Sequence, residues 1–510
     1  MSFTSVLFSS IRDVFSNKSD GEIAFAGDYT CPNIILISHD GMATDIKSLV
    51  LEMNIYEGIN KNSITGTLVI GDTQNLISKL PIQGTERLVF KLSTPSTNVD
   101  SHAIDATEKT GNPFYIYKLT DKNQISPGTV SYILHFASRE FMRNQRVKVS
   151  QSYNSAYSTM VGKIFKDKNY LDSRKKLFFE YSQVDKMVIP NLSPFNAISL
   201  IANSSIPAEA PNGTVGYYFY ETTKGFHFRS WTSMVSKMGY NDRPVKQVFY
   251  YQPKEGSQDA VNEKGQPEDK IINDFRNVES YEFINQFHDV AANTAMGTYG
   301  HRVITHNMFD KSYNETDYNY HDTFARSKHA DSNYNQGNNS TIQAIVKTPV
   351  DFDDKAVSDY PESRVSLQPS TRFLHDSDRG NYGFDAKIDG KMTGFRAGQA
   401  AQVASGTKLR LTVRGQSYLE PGDLIQFNLR NVDSNNKDGI DDPQYSGRYV
   451  ILKIRHIVNP EEYKQVLECV KDSVKNQWPG QVAEFPGRSS REGPELINIY
   501  SGEPRSGGLA

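Results

Sequence analysis

The sequence predicts an α+β, mainly β protein: two similar small antiparallel β-barrel domains, an α+β domain and a peripheral insertion. Three observations predict it. Short period-2 runs separated by Gly, Pro, Asn and Asp turns recur near both ends of the chain, the signature of small antiparallel barrels or sheets. Helix-spaced apolar residues become frequent only after Arg139. The 28 Tyr and 27 Phe among 510 residues suit pleated structure and broad contact surfaces. A chain of this length can also bury a separate core in each of several domains.

Residues 1–20 form an N-terminal segment lacking the basic start, apolar centre and small-residue cleavage site of a signal peptide, so assembly in a cytoplasm is expected. The first β-barrel domain spans 21–138. Its elements are the apolar run Ile34–Ile37, a turn at His39-Asp40-Gly41, and alternation from Ile46 to Tyr56 through Leu49, Leu51, Met53 and Ile55. Thr65–Asp72 reads as the hairpin partner, Asn75–Leu80 as a short helix and Arg87–Leu92 as a strand. Thr94–Asn112 is polar and reads as a surface loop, after which Phe114–Leu119 and Val130–Ala137 close the barrel.

Residues 139–240 form the α+β domain. Helical spacing covers Arg139–Lys148, Ser155–Lys166 (Tyr157, Met160, Val161, Ile164, Phe165 inward) and Pro194–Ser204, with Pro at the first turn of the last. Gly216–Tyr220 and Gly225–Ser230 pair as a hairpin. The second β-barrel domain takes 241–310 and 397–475. Val245–Tyr251 reads as a strand, Val278–Asn293 as a helix with Phe283, Phe287 and Val290 on one face, and Thr298–Asn307 as a strand again. Residues 311–396 are a polar insertion rich in Asn, Asp, Ser and Tyr. The block Leu409–Val474 is the clearest of all. It alternates through Leu409, Leu411 and Val413, turns at Pro421, Gly422 and Asp423, and returns from Gly447 through Tyr449–Leu452, Ile454–Val458 and Tyr463–Val470. Residues 476–510 are a Gly/Pro/Ser-rich extended tail.

A formal charge of −3 gives no global field toward nucleic acid or anionic membranes, so no stable nucleic-acid binding is expected. No apolar run approaches ~18 residues, which argues against membrane insertion. Cys31 and Cys469 are the only cysteines, too few for a disulfide framework.

Candidate chemistry is sparse. Asp433–Asp442 resembles a calcium loop, but Lys437 and Asp438 stand where an oxygen ligand and Gly are needed, so it reads as a solvated hairpin loop. His301 and His306, with His288 and His321 nearby, do not make a zinc motif, because a five-residue gap in a strand puts the two on opposite faces. Glu180, Glu221 and Glu282 are the carboxylates to test for glycosidase chemistry, yet they sit in segments explained as amphipathic or paired structure. Gly162-Lys163 and Gly390-Lys391 lack phosphate-loop spacing, and no Gly-x-Ser-x-Gly elbow occurs. The basic runs Arg139–Lys148 and Lys163–Lys176 suit a helical face that meets acidic partners or water. No catalytic residue, cofactor or metal is expected.

Taken in order, these features resemble the central hub protein of contractile-tail phage baseplates of the T-even-like myovirus type. The likeness lies mainly in Pro421–Ile425, Ser446–Ile451, Ile454-Arg455-His456, Tyr463 and Leu467–Ser473. Tyr56-Glu57, Thr65–Asp72, Pro81–Glu86, Tyr217–Thr222 and Gly225–Ser230 support it. The resemblance implies a structural virion protein, not an enzyme. It implies a homotrimer whose subunits each give two similar barrels to a pseudo-hexameric ring, adapting the six-fold tail tube to the three-fold central spike. Its partners would be the spike protein, the tail-tube protein and baseplate wedge or other hub proteins, assembled in the host cytoplasm. Pro421, Gly422, Asp423 and Gly447 are then architectural, and Arg455 and His456 are candidate polar contacts at a barrel rim. The alternative is a tail-tip cell-wall hydrolase or carbohydrate-binding protein.

Overall fold

The computed structural model describes residues 25–80, 82–94, 103–109, 112–208, 216–237, 241–242, 244–251, 270–285, 289–307, 311, 313–324, 328–331, 342–343, 355–370, 397–398, 400–401, 403–430, 441–442 and 444–474. The expected segment 1–20, much of 311–396, the tail 476–510, His288, Phe287, Gly390-Lys391 and most of the loop Asp433–Asp442 lie outside the described residues. The described residues all belong to one compact unit that ends at Lys475.

The architecture is mainly β with helices. The first module comprises β1 (Ile34–Ile37), β2 (Ala43–Asp45), β3 (Val50–Gly58), β4 (Thr65–Asp72), β5 (Arg87–Leu92), β6 (Ile104–Asp105), β7 (Phe114–Ser126) and β8 (Thr129–Ser138). Alternation decides which side chains turn inward: in β4, Leu68 and Ile70 are buried while Thr67 and Val69 are half-buried. With Met53, Ile55, Leu88, Phe90, Leu134 and Phe136 they form one core. Each fully buried aliphatic or Phe side chain contributes roughly 1.5–3 kcal/mol. Thr94–Asn112 is not wholly a surface loop, because β6 pairs with β5 and carries Ile104 and Ala106 into this core.

The middle module holds β9 (Val149–Ala156), β10 (Leu177–Phe179), β11 (Val184–Leu192), β12 (Tyr217–Thr222) and β13 (Gly225–Ser230), with helices Arg139–Arg146, Tyr157–Lys166 and Pro194–Ser204. Tyr157, Met160, Val161, Ile164 and Phe165 pack with Ile198 and Ile201 against Phe219, Phe226 and Phe228 of the hairpin, forming a second core. The helix from Arg139 stops at Arg146, and the chain turns into β9.

Beyond the short pair β14 (Ser236–Lys237) and β15 (Asn241–Asp242) come β16 (Gln247–Tyr250) and β17 (Val278–Asn285). The helix expected over Val278–Asn293 is therefore corrected. Residues 278–285 pair with a later strand, and among the described residues of that span helix begins only at Val290, in Val290–Ala295. Tyr281 and Phe283 turn toward the core while Glu282 and Ile284 are exposed, a period of two that the seven-residue Phe283–Val290 spacing masked. Strands β18 (Gly300–Asn307), β19 (Tyr313–Asn319), β20 (Ile342–Gln343) and β21 (Val365–Ser370) follow, and β18 lies between β19 and β21.

The last module adds β22 (Thr407–Arg414), β23 (Leu424–Asn428), β24 (Gly447–Val458), β25 (Tyr463–Lys471) and β26 (Ser473–Val474). Both faces of β24 are covered over its first half. Tyr449, Ile451 and Ile454 enter a third core with Leu409, Leu411, Phe427 and Leu467, and Val450 and Leu452 enter a fourth with Tyr220, Trp231 and Ala330. That explains the unbroken apolar run Tyr449–Leu452.

The two β modules share one 14-stranded sheet ordered β17-β22-β25-β24-β3-β4-β8-β7-β5-β1-β2, with β23, β16 and β6 attached to it. They meet where β24 pairs antiparallel with β3: Ile454 opposite Glu57, His456 opposite Ile55, Val458 opposite Met53.

Candidate functional site at the module junctions

The residues singled out in the sequence fall where modules meet. At the β3–β24 seam the exposed Arg455 donates from Nε to Asn54 Oδ1 at 2.9 Å and lies 3.6 Å from Glu52. His456 faces the other way and is fully buried. Its Nε2 is 3.1 Å from Glu57 Oε1 and its Nδ1 is 2.7 Å from the Tyr463 hydroxyl. Gln465 Nε2 donates to that hydroxyl at 3.0 Å and to Gln416 O at 3.0 Å. Burial pushes the Glu57 carboxyl above its ordinary range, against the opposing pull of His456.

The turn Pro421-Gly422-Asp423 docks on the middle module. Gly422 has φ +84°, and its N–H donates to Ile451 O at 2.7 Å. A Cβ there would collide with Arg229 Nη2 and lie 2.5 Å from the Tyr220 hydroxyl, so the turn must be glycine. Arg229 donates to Gly422 O at 3.0 Å, and Asp423 accepts from the Glu420 N–H at 3.2 Å. Beside the turn, Glu420 accepts from Thr222 Oγ1 at 3.1 Å, pairs with Lys224 and lies 3.5 Å from His227 Nε2. Burial alone would raise the Glu420 carboxyl, but His227 and Lys224 together hold it down to about 2.

Gly447 opens β24 at φ +144°, facing Asp331. Asp331 accepts the Arg448 N–H at 2.7 Å and lies 3.7 Å from the Lys471 ammonium. Next to it, His329 Nδ1 is 2.9 Å from Asp472 Oδ2, and Ala330 N–H donates to Asp472 Oδ1 at 3.1 Å. The polar insertion thus sends His329, Ala330 and Asp331 into the interior. Burial raises the Asp331 carboxyl, with Lys471 opposing.

A fourth cluster ties the first module to the middle one. Lys175 Nζ lies 2.9 Å from Glu140 and also contacts Glu221, while Glu221 Oε2 accepts the Ile64 N–H at 2.9 Å. All three side chains are almost entirely buried. One ammonium serves two carboxylates: despite burial Glu140 is held below its ordinary range, whereas burial keeps Glu221 above its own.

The three candidate glycosidase carboxylates have separate partners. Glu180 accepts the Ser230 N–H at 2.7 Å, Glu221 is bound to Lys175, and Glu282 pairs with Arg410 at 2.8 Å on the surface. Burial raises both thiols, Cys31 to about 12, which disfavours a nucleophilic thiolate. His301 is buried against Tyr318 with Nδ1 3.0 Å from Gly297 O, and His306 falls on the opposite face of β18. Sequence reasoning missed Lys175, Glu140, Asp331 and His329. The arrangement as a whole fixes modules to one another. Removing one partner of such a buried pair costs about 3–5 kcal/mol.

No family model matches the chain, and no curated protein does. Among solved structures, a tail protein from Neisseria meningitidis MC58 aligns at TM-score 0.47 and 9% identity, over 87% of this chain and 97% of that one. A 43 kDa tail protein of prophage MuSo2 from Shewanella oneidensis aligns at 0.46 and 9%, over 87% and 99%. An Escherichia coli type VI secretion component, described as structurally similar to T4 bacteriophage tail proteins, aligns at 0.36 and 8%, over 85% and 76%. Scores this low establish no common fold, so a functional reading rests on the chain's own residues.

Proposed function

We propose that this chain is a structural subunit of a contractile phage tail baseplate: a hub that trimerises into a pseudo-hexameric ring and adapts the six-fold tail tube to the three-fold central spike. The observation that carries the reading is the β3–β24 seam. Two antiparallel modules with separate cores stand side by side in one chain, their register fixed by a buried His456–Glu57 pair. Three such chains present six β modules, the number a six-fold partner needs, while keeping the three-fold symmetry of a spike. The spike, tube and wedge proteins are the partners on this reading, and Arg455, exposed on the seam, is a candidate contact to them. The role is geometric, not catalytic, which agrees with the separate partners of Glu180, Glu221 and Glu282.

Negative-stain electron microscopy of the purified protein, alone and with its spike protein, tests the proposal. Three-fold rings with an axial hole and six lobes are expected. Dispersed monomers under both conditions would overturn it, and loss of turbidity in a peptidoglycan suspension would establish the hydrolase alternative.

A further inference from the structure

A groove of about 370 Å³ runs between the helix Arg139–Arg146 and the edge where β5 leaves β7. On the helix side Arg139, Met142, Arg143 and Arg146 share one face, being spaced by three and four residues. Tyr115 and Ile116 line the opposite side beside the Gly84–Thr85 turn. No acidic side chain lines the groove among the described residues.

Three neighbouring carboxylates are committed elsewhere. Asp172 pairs with Arg139 at 2.9 Å and feels Arg143 only at longer range. Glu140 turns to Ser173 and Lys175, and Glu86 accepts the N–H groups of Gln83, Gly84 and Thr85. Arg143 is held by carbonyls, donating from Nε to Tyr170 O at 2.6 Å and from Nη2 to Lys168 O. Arg146 is exposed. Among the described residues neither Arg143 nor Arg146 forms an ion pair, so the groove carries two guanidinium groups with no carboxylate in contact.

We propose that this groove is a docking site for an acidic segment of a partner protein, laid along the helix with carboxylates on Arg143 and Arg146. Charge complementarity selects the sign of the occupant, and guanidinium favours carboxylate through paired N–H···O bonds. The floor selects a peptide: the half-buried Met142 and Tyr115 offer apolar contact to side chains between the acidic ones. An extended peptide repeats its side chains on one face every ~6.6–6.8 Å. The two arginines rise ~4.5 Å apart along the helix axis, a mismatch their long stems absorb. A nucleic acid is disfavoured because the chain's overall charge of −3 offers a polyanion no long-range attraction.

The test is fluorescence anisotropy with a labelled peptide of alternating Glu and Leu and the full-length protein. Saturable binding that weakens with added salt is expected. R146Q should lose about tenfold in affinity, the worth of one charge-assisted bond, and R143Q/R146Q more. Arg146 holds no other group among the described residues, so R146Q tests the site without disturbing the fold, and K118Q/K122Q on the β7–β8 hairpin should leave affinity unchanged. The proposal is overturned by absent binding, by equal binding to R146Q, or by a single-stranded RNA of equal length binding more tightly than the peptide.

Discussion

Gly447→Ala is the perturbation whose cost the structure specifies most closely. Gly447 sits at φ +144°, and a Cβ placed on it would stand 2.5 Å from Asp331 Oδ2 and 2.8 Å from Oδ1. Two penalties combine. The backbone conformation disfavours any L side chain by about 1–2 kcal/mol. The methyl group also drives the buried Asp331 carboxylate away from the Arg448 N–H and the Lys471 ammonium. Losing a buried backbone bond costs about 1–3 kcal/mol, and isolating the charge entirely costs about 3–5. The sum, roughly 2–7 kcal/mol from the lost bond alone to full isolation of the charge, is a large share of the ~5–15 kcal/mol that holds a typical domain together. Denaturant unfolding of the wild type, G447A, D331A and the double variant reads it directly. With Asp331 truncated the collision is gone, so G447A should then cost only the backbone part, about 1–2 kcal/mol. An equal cost in both backgrounds would refute the collision, and a cost below ~1 kcal/mol in the wild type would refute both terms.

Three further outcomes are expected. Lys175→Met strands two buried carboxylates and should destabilise by about 3–5 kcal/mol; thermal unfolding should show most of that recovered in K175M/E140Q/E221Q. Glu420 is held from the usual 4.5 down to about 2, so its stabilisation is present above the unfolded value and lost as pH falls through about 2. That difference is on the order of 3 kcal/mol, and E420Q should flatten the acid limb of a stability-against-pH curve between those values. Glu57 has the opposite sign: its raised folded-state value gives stability below the unfolded value that is lost as pH rises through the folded one. H456L should leave Glu57 buried and unpaired and cost about 3–5 kcal/mol at neutral pH, whereas E57L/H456L should be close to neutral by calorimetry.

The hairpin Tyr217–Thr222 with Gly225–Ser230 and the block from Thr407 to Lys471 were legible because alternation and turn residues act over a few positions. The strands β9 and β11 were not. Ser150, Gln151 and Ser152 are all exposed, so no apolar period marks β9, and β11 shows few buried side chains. Val278–Asn285 misled because Phe283 and Val290 satisfy a helical spacing, while pairing with β22 prevails in the fold. The junction chemistry left no local trace. Glu57 and His456 are 399 positions apart, and Ile64 and Glu221 are 157 apart. A buried Glu reads like any other until its partner is placed beside it.

The Glu57–His456 pair lies between the two β modules, not within either core, and that placement has a mechanical meaning. Apolar burial is non-directional and by itself tolerates small shifts of angle. A β seam does not, since a one-residue slip of β24 against β3 would turn His456 to solvent and leave Glu57 buried alone. Buried pairs add little net stability over apolar residues of the same shape, and much of their effect is to penalise wrong arrangements. On the hub reading that trade is favourable. A ring that must match six tube subunits with three chains depends on the angle between the two β modules of one chain, and the buried Glu57–His456 pair taxes a departure from it.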